Sequence, residues 1–229
     1  MTETPHFATR SVTRTFSSRR GDVHALTDVT VIVPRGEFLV LTGPSGCGKT
    51  TLLALLSALD RPTAGDVLHR GEDLGRAPEG VRALVRRRIG LVFQHSHMIR
   101  GLPLWENVTY PLVPRGVDER ERRAIAESLL ERVQMKDCVL ALPRELSAGE
   151  LRRAAVARAL VGEPEALFAD EPTSNLDAES AEAVISVLRD THARGATVIA
   201  ATHDPALATL ATARIELSGG TRADAESPR

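Results

Sequence analysis

Gly43-Pro44-Ser45-Gly46-Cys47-Gly48-Lys49-Thr50 decides how the rest of the chain is read. It fits G-x-x-x-x-G-K-[ST], the pattern of a loop that wraps phosphates. Glycines let backbone N–H groups turn inward into an anion-binding concavity that side chains would crowd. Lys49 supplies a mobile positive charge for the outer phosphates of a nucleotide, and the Thr50 hydroxyl is the expected Mg²⁺ ligand. The flanks agree. Phe38 to Thr42 is a short apolar run, the pattern of a buried parallel strand, and Thr51 to Leu56 reads as the opening of a buried helix. That helix would point its N-terminus at the phosphates. Strand, glycine loop and helix predict an α/β fold built on a nucleotide-binding sheet.

The whole chain is compatible with this. Its 229 residues suffice for one large domain, and 42% hydrophobic with 26% charged residues allows a sizeable core. A net charge of −1 argues against a chain built mainly to hold nucleic acid. The two cysteines, Cys47 inside the loop and Cys138 far from it, do not suggest a disulfide framework, so a reducing cytosol is expected. No run approaches the ~20 apolar residues of a membrane span. Met1 to His6 lacks the charged-then-apolar layout of a signal peptide.

Ahead of the loop, Ala8 to Phe16 alternates weakly and predicts an exposed strand. Arg19 to Asp22 signals a turn, and Val23 to Leu26 and Val29 to Val33 are further β-prone runs. A small antiparallel sheet beside the nucleotide site follows. Phe16 is a candidate stacking face for adenine, ordinary sheet packing being the other reading. Behind the loop, Arg82 to Arg88 reads as a solvated helical face. Ile89 to Phe93 is a strand whose end places Gln94 at the carboxyl edge of a sheet, either as a Mg²⁺ or water contact or as a surface loop residue.

From His95 the character changes to prolines and then helix. Asp118 and Glu121 form a capping-box pair, and Ile125, Leu129, Leu130 and Val133 follow at helical spacing as a core stripe. This predicts a helical subdomain inserted between strands of the nucleotide domain. Ser147 and Glu150 make a second capping box at a helix start where the Ser147 hydroxyl and the Gly149 amide could also hold an anion. Ala166 to Glu171 is an apolar strand ending in two carboxylates. Asp170 could sit in a Mg²⁺ shell and Glu171 could orient or deprotonate a water, although paired acids after a strand also begin turns. A polar turn from Thr173 to Asp177 leads into a helix closed by Gly195, and a last buried strand ends at Thr202-His203. His203 there is either structural or a contact for the terminal phosphate.

With these residues in place, the chain resembles the ATPase subunit of ATP-binding-cassette (ABC) transporters over nearly its full length. The motifs fall in the family's order: phosphate loop 43–50, Gln94, the signature-like 146–150, Asp170 with Glu171, the turn ending at Asp177, and His203. The resemblance implies a P-loop NTPase (RecA-like) core sheet with an N-terminal antiparallel β subdomain and an inserted helical subdomain. Residues 1–94 and 160–220 would form core and β subdomain, 95–159 the helical subdomain, and 221–229 a loose tail of one domain spanning 1–229. It implies ATP and Mg²⁺, with the loop through Thr51, Phe16, Ser147, Gly149, Glu150 and Asp177 around the nucleotide. Thr50, Gln94 and Asp170 would stand at the metal. Glu171, His203 and Gln94 would carry catalysis.

Two copies would sandwich ATP and drive a transmembrane permease, peripheral to the inner face of the membrane. Asp22 to Leu26, Leu59 to Pro62 and Trp105 to Val108 look like the macrolide-export and lipoprotein-release branch. That branch also includes a regulatory cell-division ATPase, the alternative reading. Rival classes fit less well. Chromosome-organising ATPases insert long coiled coils where only about fifty residues separate Gln94 from Ser147, with no sustained heptads. A small-molecule phosphotransferase would need neither the Ser147 helix start nor His203. Ala148 and Glu150 depart from the usual Leu-Ser-Gly-Gly-Gln, which bears on turnover through an extra methyl and an extra carboxylate.

Overall fold

Hydrogen bonding along both edges of the first strand sets the first layer. The computed structural model describes residues 4–19 and 21–223. The leader reading at Met1–Glu3, the Arg20 part of the first turn and residues 224–229 of the expected tail lie outside them. The elements begin with β1 (Phe7–Ser18), β2 (Gly21–Val33), β3 (Phe38–Thr42), α1 (Lys49–Leu56), β4 (Ala64–His69), β5 (Glu72–Asp73) and α2 (Glu79–Arg86). Next come β6 (Ile89–Val92), α3 (Leu104–Thr109), α4 (Glu119–Arg132), α5 (Ala148–Leu160), β7 (Ala166–Asp170) and α6 (Ala178–Ala193). The chain closes with β8 (Thr197–Ala201), α7 (Pro205–Ala208), β9 (Ala213–Ser218) and β10 (Thr221–Ala223). Two compact units result, one from the chain up to Arg87 with the chain from Thr197, the other from Arg88 to Ala196.

In the first unit an antiparallel sheet runs in the order β2-β1-β4-β5. The exposed strand expected from Ala8 is therefore a central one. Phe7, Thr9 and Val12 are fully buried. Thr9 is tolerated there because its hydroxyl donates to Val29 O at 2.9 Å and accepts from Val31 N at 3.0 Å. In the same unit β3 lies parallel between β8 and β9, with β10 antiparallel to β9. Leu52, Leu55 and Leu56 of α1 are wholly buried, each worth about 2 kcal/mol of transfer free energy. Thr221–Ala223, placed in the loose tail by sequence, pair instead as β10, and Gly220 O accepts from Thr27 N at 2.7 Å.

Arg82 corrects the solvated-face expectation for α2. It is buried, and its Nη2 donates to Ala58 O at 2.7 Å and Asp60 O at 2.8 Å, stopping the chain after α1. Burial, then the neighbouring Arg61, holds its pKa below the usual guanidinium value.

In the second unit β6 and β7 pair in parallel, and α5 packs beside β6 and against α3, α4 and α6. Asp118 caps α4 by accepting from Glu121 N at 2.9 Å. Leu129, Leu130 and Val133 are buried as expected, whereas Ile125 is half-buried and Ala126 fills the core position. Among the described residues no helix is long and apolar enough to cross a membrane.

Candidate active site

In the first unit β3 delivers the chain into the glycine loop, and Gly48 starts α1 with no side chain capping it. Uncapped first-turn N–H groups are anion donors. Gly43 has φ 130°, and a Cβ there would stand 2.1 Å from Leu217 O, so β9 closes directly on the loop. Lys49, though charged, is only 7% exposed. Its Nζ donates to Gly43 O at 2.7 Å, to Pro44 O at 3.2 Å and to His203 Nε2 at 3.1 Å. An ammonium only donates, so in this contact Nε2 is the acceptor. Lysine and histidine, 154 residues apart in sequence, thus meet over the loop. Pro44, Ser45, Gly46, Thr50 and His203 are exposed, Cys47 is buried and Thr51 is half-buried. Phe16, on β1, is 41% exposed, with the Arg14 guanidinium 4.3 Å from its ring centroid. The loop suits a polyphosphate: exposed backbone, an open helix start, and an ammonium resting on carbonyls that an anion would draw it from.

The second unit holds Gln94, Ser147, Gly149, Glu150, Asp170, Glu171 and Asp177. Gln94 follows β6 and is exposed, while Asp170 ends β7 and is nine-tenths buried. Glu171 has φ 47°, a left-handed conformation that costs a non-glycine residue about 1 kcal/mol and aims the chain sharply out of the strand. At α5, Ser147 Oγ accepts from Glu150 N at 3.2 Å, and Glu150 Oε2 accepts from Ser147 N at 2.7 Å. The extra carboxylate is turned back into the cap, and Ser147's backbone and then its hydroxyl hold the Glu150 pKa below the usual value. Asp177 caps α6, accepting from Ser180 N at 2.8 Å and Ser180 Oγ at 3.2 Å, which lowers its pKa too.

Three arginines of α5 are functional candidates that the motifs do not mark. Arg152 is 7% exposed and donates to Phe93 O, just before Gln94, at 2.6 Å and to Ser174 Oγ at 3.4 Å. Burial lowers its pKa, and the charges of Asp170 and Glu171 oppose that shift. Arg153 donates to Ser180 Oγ at 2.9 Å, beside the Asp177 cap. Arg158 donates to Ser96 O at 2.6 Å and His97 O at 3.0 Å. A cleft of about 770 Å³ opens here, lined by Gln94, His97, Arg100, Arg144, Arg152 and Asn175 among others. The signal was available: Arg152 falls on the same helical stripe as the buried Ala155, Val156 and Ala159.

The family model described as ABC transporter matches residues 26–174. The chain belongs to the ABC transporter family. As an ABC protein it is an ATP-binding, ATP-hydrolysing cassette. It is 40% identical over 212 residues to an uncharacterised ABC transporter ATP-binding protein of Methanocaldococcus jannaschii, covering 92% of this chain and 95% of that protein. It is 40% identical over 204 residues to the lipoprotein-releasing system ATP-binding protein LolD of a Shewanella strain, covering 87% and 88%. It is 41% identical over 221 residues to the macrolide export ATP-binding/permease protein MacB of Bradyrhizobium diazoefficiens, covering 96% of this chain but only 34% of that protein. The chain thus spans about a third of the macrolide-export relatives it matches. Its fold is that of the ATP-binding cassette MJ0796, solved as a dimer with ADP and phosphate, at TM-score 0.92 and 32% identity over 97% of this chain and 99% of that one.

Proposed function

We propose that this ABC cassette powers a separate transmembrane permease of the macrolide-export or lipoprotein-release type, held peripherally at the membrane and working as a pair of copies closed around ATP. The observation that carries the reading is Lys49 Nζ, hydrogen-bonded at once to Gly43 O and to His203 Nε2. A phosphate chain entering the loop would take over that ammonium, and His203, in the tautomer that carries its proton on Nε2, would then donate to the outermost phosphate. Phe16 would stack the base, and the amides from Gly43 to Thr51 would hold the phosphates.

Glu171 is the group we assign to orient and deprotonate the attacking water, standing directly after β7. Thr50, Gln94 and Asp170 would hold Mg²⁺, which when bound neutralises phosphate charge. The helix start at Ser147, Gly149 and Glu150 would face the nucleotide of the second copy, with Asp177 linking the two sites. Glu150 turned into its cap keeps that helix start intact despite the altered signature. Residues 95–159 would carry the signal to the permease. The high identity to both export and lipoprotein-release proteins supports the branch.

The test is steady-state ATP hydrolysis by Glu171→Gln beside ATP binding. Loss of a positioned base costs about 10²- to 10⁴-fold in turnover. ATP affinity should be retained. Near-normal turnover by this variant would remove Glu171 from the role.

A further inference from the structure

Arg14 and Phe16 lie two apart on β1, across a shift in its register with β2. The Arg14 guanidinium stands 4.3 Å from the Phe16 ring centroid, in cation–π contact. That guanidinium is not a loose surface cation. Its Nε donates to Asp60 Oδ2 at 2.8 Å and its Nη2 to Asp60 Oδ1 at 3.0 Å, a two-pronged pair that is about three-quarters buried on either side. Asp60 is fixed in turn: Oδ1 accepts from Arg61 N at 2.8 Å, and its carbonyl accepts from the buried Arg82 at 2.8 Å. Thr15, between them in sequence, is tied to the same segment through Thr63 Oγ1 at 3.0 Å. A carboxylate just beyond α1, the helix that begins in the phosphate loop, thus holds a cation against an exposed aromatic ring.

We propose that Arg14 is a positioning residue for the base of the nucleotide, covering one face of Phe16 so that the other face is presented to a purine. The inference rests on the reading of Phe16 as the base platform and adds the group that orients it. A ring clamped on one face loses less side-chain freedom when a base stacks on the other. Asp60 makes that clamp part of the segment following α1, so base and phosphate recognition share one support.

The experiment measures affinity of the full chain for ATP and for inorganic tripolyphosphate, which has no base. The variants are Phe16→Ala, Arg14→Met, Arg14→Lys and the Phe16→Ala/Arg14→Met pair, each checked for an unchanged melting temperature. Arg14→Met should weaken ATP roughly two- to fivefold, the scale of ordering one aromatic side chain that the clamp no longer holds, and leave tripolyphosphate unchanged. Arg14→Lys should recover part of the loss. In the Phe16→Ala background Arg14→Met should add nothing, because its effect passes through the ring. If Phe16→Ala weakens ATP selectively while Arg14→Met has no effect, tightens ATP, or adds in full to Phe16→Ala, the proposal is overturned. If Phe16→Ala itself leaves the ratio of ATP to tripolyphosphate affinity unchanged, the platform reading fails first. Should Arg14→Met melt early, Arg14→Lys decides alone, by weakening ATP but not tripolyphosphate or by leaving both unchanged.

Discussion

Arg152 brings a full positive charge to a place that is 7% exposed, and its hydrogen bonds account for how that is tolerated. One reaches the carbonyl of Phe93 at 2.6 Å, and the two carboxylates Asp170 and Glu171 oppose the pKa depression that burial causes. Removing it would strand the Phe93 carbonyl and loosen the segment that carries Gln94. Charged hydrogen bonds are worth about 1.5–3 kcal/mol of stability, so Arg152→Ala should cost about that much and, by loosening the Gln94 segment, lower kcat. KM for ATP should change less than about twofold, because Lys49 and the phosphate-loop amides are left intact. Steady-state kinetics over ATP concentration checks the split, and a rise in KM with kcat unchanged would contradict it. Acid behaviour is a second residue-scale matter. Glu150 and Asp177 have pKa values lowered chiefly by the backbone N–H groups they cap. A carboxylate with a depressed folded pKa contributes stability above its unfolded value, near 4, and loses it as pH falls through the folded value. Urea unfolding between pH 5 and about 3 should therefore show a falling stability whose slope is shallower in Glu150→Gln/Asp177→Asn.

At the scale of elements, the phosphate loop separates two kinds of glycine requirement. At Gly43 a Cβ would meet Leu217 O at 2.1 Å, and φ is 130°. At Gly46 φ is 79°, yet nothing lies within 4 Å of the added carbon. Gly46→Ala should cost only the backbone strain, about 1 kcal/mol, whereas Gly43→Ala must also push β9 away and should cost several times more. Denaturant unfolding of the pair tests this, and equal losses would contradict it. The motif shows where glycines fall but not which faces a neighbour, because Leu217 is 174 residues from Gly43. Distance in the chain also explains what was hidden elsewhere. The strand–loop–helix unit, both helix caps and the β7 acids were legible because their signals are local. β1 misled because its threonines look solvated, whereas two backbone groups of β2 satisfy the Thr9 hydroxyl. Arg82 misled because charge outweighed its place beside the buried Val85, and Arg152 drew no reading at all; the shortest hydrogen bonds of both go to backbone carbonyls that no side-chain pattern reports.

At the scale of the whole molecule, the two units divide the expected machinery. Lys49 and His203 meet in one, while Gln94, Asp170, Glu171 and the Ser147 helix start belong to the other. The similar cassette MJ0796 was solved as a dimer holding ADP and phosphate. On this reading ATP closes two copies of this chain, even with Ala148 and Glu150 in the signature. Light scattering on size-exclusion-purified Glu171→Gln, with and without Mg-ATP, tests that claim most directly. A monomer that becomes a dimer only with Mg-ATP is the predicted result. A monomer under both conditions, with ATP binding confirmed on the same sample, would contradict it.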